Sequence, residues 1–154
     1  MPGSTHLTSN FTGTGTSTGD KVTYSVWIKR CDPEGDTRST VISAAVDGNN
    51  YMKIRFADND NFHIYGVHSS SANFNVYADK QCRDTNAWYH LVWQIDTTHA
   101  TQSERVKIWI NGESISISGT MPSQNDPIYT LKENDMEIGR NAQSDNEQFD
   151  GLMS

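Results

Sequence analysis

The chain has 154 residues, the size of one domain, and its 19 acidic against 12 basic side chains give a net charge of −7; so acidic a chain lacks the basic footprint of a nucleic-acid-binding protein. Ser, Thr, Asn, Asp and Gly together supply 68 residues, against six Glu and four Leu, which excludes a helix-rich fold and points to a turn-rich β domain. No apolar run reaches transmembrane length, residues 1–20 lack the apolar segment of a signal peptide, and 15 aromatic residues argue against disorder.

Period-two alternation marks the strands in chain order. His6–Phe11 is a short candidate. In Lys21–Arg30 (KVTYSVWIKR), Val22, Tyr24, Val26 and Ile28 share one face, and Thr23, Ser25, Trp27 and Lys29 the other. Thr40–Val46 is a further short strand. In Tyr51–Ala57 (YMKIRFA), Met52, Ile54 and Phe56 alternate with Tyr51, Lys53 and Arg55; in Phe62–Val67, Phe62 and Ile64 alternate with His63 and Tyr65. Asn73–Tyr77 follows. Trp88–Asp96 (WYHLVWQID) is apolar enough for a central strand. Thr97–Glu104 reads as a loop. Arg105–Ile110 sets Val106, Ile108 and Ile110 against Lys107 and Trp109, and Asn111-Gly112 predicts a hairpin returning through Ser114–Ser118. Met136–Gly139 is the last short candidate. Turn-forming clusters separate the strands, as at Asp32–Gly35, Asp47–Asn50 and Asp58–Asn61. Many short strands so spaced predict a sandwich or barrel. The expected core comprises Val22, Tyr24, Val26, Ile28, Met52, Ile54, Phe56, Ile64, Leu91, Trp93, Ile95, Val106, Ile108 and Ile110. Charge is unevenly spread: residues 125–154 hold seven acids and two bases. Cys31 and Cys82 form no metal-binding spacing, and a disulfide between them is neither required nor excluded.

The stretch Asn86–Gly112 (NAWYHLVWQIDTTHATQSERVKIWING) resembles the concanavalin A-like lectin/glucanase superfamily, and most of all the laminin G-like domains of bacteriophage tail and fibre proteins. TYSVWIKR at 23–30 is similar to that family's first long strand; MEIGR at 136–140 and FDGL at 149–152 are similar to its last motifs. The resemblance implies one laminin G-like domain over residues 1–154, an antiparallel jelly-roll β-sandwich. It also implies a non-catalytic carbohydrate-binding or structural module of a phage virion, made in the host cytoplasm and carried in the particle or released outside the cell. Expected partners are host-surface glycans or other virion proteins, with neither nucleic acid nor membrane insertion, and homo-oligomerisation is open. The alternative is a purely structural decoration domain without a glycan site. Family members continue beyond FDGL with a strand pairing near the N-terminus, whereas this sequence stops at Ser154. The expectation is therefore a fragment, or a chain whose closing strand comes from elsewhere, since an open edge is a liability.

Three constellations could carry chemistry. Trp27, Arg55, His63, Tyr65 and Trp109 lie opposite the apolar members of their strands. On one sheet of a lectin-like sandwich they would offer rings for the apolar faces of sugars and donors for hydroxyls. The competing reading is that the two sheets bury opposite parities, or that Trp27 and Trp109 pack beneath loops. Asp58-Asn59-Asp60-Asn61 and Asp145-Asn146-Glu147 with Asp150 offer loop oxygens, above all those of Asp58, Asp60, Asp145 and Asp150, for a calcium ion, which takes roughly six to eight, and related domains hold calcium at the sandwich rim; Asx-turns on solvated loops explain the same residues. Glu133-Asn134-Asp135-Met136-Glu137 resembles the catalytic motif of laminarinase-type hydrolases, whose outer carboxylates would be nucleophile and acid/base. The polar Asn134 breaks the pattern, and an acidic turn is the simpler account.

Overall fold

In the computed structural model, alternation builds two antiparallel sheets that bury their apolar faces against each other. The structure describes residues 7–10, 20–31, 38–129, 135–144 and 146–154, with the backbone alone for 7–10 and 135. The strands are β1 (Leu7–Asn10), β2 (Lys21–Arg30), β3 (Ser39–Asp47), β4 (Asn50–Phe56), β5 (Asn61–His68), β6 (Ser71–Gln81), β7 (Tyr89–Asp96), β8 (Val106–Ile110), β9 (Glu113–Ile115), β10 (Ile117–Thr120), β11 (Asp135–Ile138) and β12 (Gly151–Met153). The larger sheet runs β1-β11-β3-β4-β5-β6-β10, the smaller β12-β2-β7-β8-β9. β7 is the middle strand of the smaller sheet, as its apolar sequence predicts. Thr97–Glu104 is a loop holding one 3-10 turn, Gln102–Glu104. No helix among the described residues is long and apolar enough to cross a membrane.

The expected core residues all face the interior. Trp93 is fully buried at its centre, stacked on Tyr24 at 5.1 Å and tilted against Phe62 at 5.2 Å between ring centroids. Val22, Tyr24 and Val26 are only half-buried but pack on the same cluster. Cross-strand register fixes both faces: Ile42, Ile54, Ile64 and Val76 meet in one row across the larger sheet, and Tyr24, Trp93 and Ile108 across the smaller.

One expectation is corrected. Asn111-Gly112 makes the predicted hairpin, both residues at positive φ (54° and 79°). The return strand does not run through Ser118. β9 ends at Ile115, and from Ile117 the chain pairs with β6 in the other sheet. The carbonyl of Ser116 accepts from the Asp79 amide at 2.9 Å on the way across. Gly119 permits the crossing: its φ is +105°, and a Cβ there would sit 2.0 Å from the Asn75 carbonyl oxygen. Strand β12 lies beside β2, and the exchange of amide bonds between Ser154 and Trp27, each 2.9 Å, continues the ladder. Both cysteines are free thiols, Cys31 exposed and Cys82 buried.

Candidate functional site

The five residues singled out for sugar contact divide between the two outer surfaces. Arg55, His63 and Tyr65 lie together on the outer face of the larger sheet; Trp27 and Trp109 lie on the outer face of the smaller. Parity alone assigns a residue to the face away from the core, and both sheets have such a face. Neither Trp belongs to the core. Trp27 is 48% exposed and stacks on His90 at 4.7 Å, with His90 Nε2 2.8 Å from Ser25 Oγ, while Trp109 is half-buried beside Val92 in the register.

The larger sheet's outer face is the chemically richer surface. Two rows cross it in register: Ser43–Lys53–Tyr65–Asn75 and Thr40–Arg55–His63–Tyr77. Alternation keeps these side chains on one face, and the register shift between Thr40 and Ile42 brings Thr40 to the same face as Ser43. The segment following β11 folds back over part of it. Ser43 Oγ donates to the Arg140 carbonyl and accepts from the Ala142 amide, both at 2.7 Å; the Thr40 amide donates to the Glu147 carbonyl at 2.8 Å. Glu147 then extends its carboxylate along the face. Arg55 Nη1 lies 3.0 and 3.1 Å from its two oxygens, Lys53 Nζ 3.6 Å and Arg38 Nη1 4.0 Å away. This explains how Arg55 can be only 4% exposed on an outward face: a buried guanidinium needs a partner. Burial pushes the Lys53 ammonium below its ordinary value, and Glu147 opposes that shift.

Arg55 links this ion cluster to the aromatic half of the face. Its Nε donates to His63 Nδ1 at 3.3 Å, His63 Nε2 is 2.9 Å from Asn75 Oδ1, and the His63 ring stacks on Tyr77 at 4.0 Å. The Arg55 guanidinium lies 5.1 Å from the Tyr65 ring centroid and the Lys53 ammonium 5.2 Å from that of Tyr51. Burial, reinforced by the charges of Arg55 and Arg38 against the Asn75 hydrogen bond, lowers the His63 pKa from 6.5 to about 4, so at neutral pH the ring is uncharged and accepts from Arg55 through Nδ1 and donates to Asn75 through Nε2. Tyr51, Tyr65 and Tyr77 remain half-exposed at its margin. The face therefore offers tyrosine rings and hydroxyls, the half-exposed Asn75 amide and a charged end, braced from beneath by the buried, fully partnered His63. Lys53 and Tyr51 were visible in the strand alternation. Arg38 and Glu147 were not, because they reach the face from distant loops.

The calcium set does not assemble from the described residues. Asp60, 1% exposed and at φ 63°, is held between Arg30 Nη1 at 2.9 Å and Arg83 Nε at 2.7 Å. Asp58 is paired with Arg38 Nε at 2.7 Å. Two arginines on one carboxylate leave a divalent cation repelled rather than attracted. Asp150 is exposed, its carbonyl accepting from the Cys31 amide at 3.0 Å, and Asp145 lies outside the described residues. No group of three or more His, Cys, Asp or Glu side chains gathers among the described residues. In the acidic motif, Glu133 and Asn134 also lie outside them, and Glu137 is gripped by Arg140 through Nε and Nη2, the latter 2.8 Å from Oε1.

Comparisons with known proteins agree with this architecture. No curated protein sequence matches the chain. Among solved structures, domain 4 of AbnA, a GH43 extracellular arabinanase from Geobacillus stearothermophilus in complex with arabinotriose, superposes with a TM-score of 0.60 at 20% identity, covering 88% of this chain and 58% of that one. The CBM40 of the Ruminococcus gnavus IT-sialidase gives 0.62 at 12% identity over 88% of this chain and 74% of the other. Domains LG4-5 of the mouse laminin alpha1 chain give 0.68 at 8% identity over 97% and 37%. The chain thus spans less than two thirds of the first of these structures. At such identities the likeness concerns the fold, and it is the family model, matched over residues 3–154, that assigns the chain: it belongs to the concanavalin A-like lectin/glucanases superfamily.

Proposed function

We propose that this chain is a non-catalytic carbohydrate-binding module whose ligand lies on the outer face of the larger sheet. The observation that carries the reading is the set of half-exposed Tyr51, Tyr65, Tyr77 and Asn75 on one surface, backed by the buried Arg55 and His63. Tyrosine rings suit the apolar C–H faces of a sugar, and the tyrosine hydroxyls and the Asn75 amide suit its hydroxyls, while Arg55 and His63, buried and paired, hold these groups in position. Two similar structures, the CBM40 of a sialidase and an arabinanase domain in complex with arabinotriose, support the same class of ligand. A non-catalytic role is supported by Glu137, whose carboxylate is tied to Arg140 instead of standing free as an acid or nucleophile.

The proposed setting is a phage or phage-like virion displaying the domain toward host-surface glycans, a reading that rests on the Asn86–Gly112 resemblance. A second reading, a decoration domain without a glycan site, draws on the internal pairing of the Glu147–Arg55–His63–Asn75 chain, which can serve simply to fasten the covering segment. A glycan array separates the two. Selective binding lost in Tyr65→Ala supports the first; no glycan binding by a folded wild-type domain supports the second.

A further inference from the structure

We infer that Glu147 occupies an anion site the chain fills for itself, and that a glycan bearing a carboxylate, a uronic or ulosonic acid, binds by taking its place. The inference rests on the carbohydrate-binding reading above and names the ligand class.

Arg38, Lys53 and Arg55 converge on the Glu147 carboxylate, and Asp58 is the other carboxylate paired with Arg38, so three cations meet two anions. Arg55 and Lys53 are buried beneath Glu147. Withdrawing Glu147 with nothing in its place would leave two buried charges unpaired, which is strongly disfavoured. A neutral sugar therefore cannot displace it, whereas a ligand carboxylate can inherit the same contacts: two oxygens on Arg55 Nη1, one near Lys53 Nζ, and the Thr40 hydroxyl, which now donates to Glu147 Oε2 at 3.4 Å. The exchange conserves charge pairing, so selectivity for acidic over neutral glycans follows from the burial of the cations.

Only the Glu147 side chain need leave, since the backbone of the segment stays pinned through the Thr40 amide and the Glu147 carbonyl. Glu147 sits at φ 56°, a left-handed conformation unfavourable for a residue with a Cβ. Asn146 and Gln148 on either side are exposed, so the Glu147 side chain has solvent beside it to turn into. The rings of Tyr51 and Tyr65, 6.0 Å apart, stand beside the cations where the body of the sugar would rest.

The test is calorimetric titration of wild type, Glu147→Gln and Glu147→Gly with two acidic probes, tri-galacturonate and 3′-sialyllactose, and two neutral ones, maltotriose and lactose. The expected result is an affinity for at least one acidic probe raised about tenfold or more in both variants, with neutral probes changed less than about twofold. Arg38→Gln, at a half-exposed position tolerant of substitution, is expected to weaken acidic-probe binding in wild type and so keeps the test decisive if the Glu147 variants unfold. Acidic probes binding no better in the variants, or no worse in Arg38→Gln, overturn the inference. If neutral glycans still bind at Tyr65 in that case, the carbohydrate-binding reading stands without it; if no probe or arrayed glycan binds, both fall.

Discussion

His63 couples the stability of the larger sheet to pH, and replacing it by glutamine exposes the coupling. The imidazole is 2% exposed, between the guanidinium of Arg55 and the amide of Asn75, and stacked on Tyr77. Burial, with Arg55 and Arg38 adding repulsion and Asp58 a small attraction, lowers its pKa from 6.5 to about 4. In the unfolded chain it titrates near its ordinary value. Between these pH values the unfolded state binds the proton and the folded state refuses it, so stability falls as pH falls through that window and is complete above it. At about 1.4 kcal/mol per tenfold difference in proton affinity, the whole effect is about 3 kcal/mol, of which about 2.5 kcal/mol falls between pH 7.5 and pH 4.5. Urea denaturation of wild type and His63→Gln across that range isolates it, because the carboxylates that titrate below pH 5 are common to both proteins. The wild-type stability curve is expected to drop by about 2.5 kcal/mol more than that of the variant. Parallel curves would refute the reasoning, since they would mean that His63 is hydrated or protonated in the folded protein.

Three further outcomes follow from the same structure. Asp60→Ala leaves Arg30, itself 1% exposed, without its counter-charge and is expected to cost about 3–5 kcal/mol in chemical denaturation, while a chelator leaves the wild-type Tm unchanged because the described carboxylates of that loop are spent on arginines; a chelator-induced drop in Tm would contradict this. Ser70 turns the β5–β6 hairpin at φ 66°, so Ser70→Gly is expected to raise stability by about 0.5–1 kcal/mol, read as a higher urea midpoint at unchanged slope. Trp27→Ala removes an exposed ring and is expected to keep the fold, seen as an unaltered near-UV signal from Trp93, and to leave glycan binding unchanged.

Much of this was legible in the residues, for reasons that also mark the limits. Alternation in KVTYSVWIKR, YMKIRFA and FHIYGV fixes which side chains face the core, because successive residues on a strand point to opposite sides. It therefore placed Arg55, His63 and Tyr65 on one outward face. The same rule holds for Trp27 and Trp109, but parity carries no information about which sheet a strand joins, so alternation merges two surfaces into one. The crossing at Ser116 was hidden for a related reason: SISIS alternates without interruption while the chain changes sheets, and the signal lies in Gly119, whose meaning depends on the proximity of Asn75. Asp58 and Asp60 carry the residue types of a calcium loop, and only the approach of Arg30, Arg38 and Arg83 from distant strands and loops shows them to be ion-paired. Glu147 lies within an acidic stretch and reads there as one of the oxygens of a candidate calcium loop, not as the partner of Arg55 and Lys53. Its partners lie 92 and 107 residues away, at Arg55 and Thr40.

The central claim is that the outer face of the larger sheet binds carbohydrate. The most direct measurement is a glycan array of wild type, Tyr65→Ala and Trp27→Ala, followed by calorimetry on whichever glycan scores. Selective binding is expected to fall about tenfold or more in Tyr65→Ala and to persist in Trp27→Ala. Binding that survives Tyr65→Ala and disappears in a folded Trp27→Ala would move the site to the smaller sheet and contradict it.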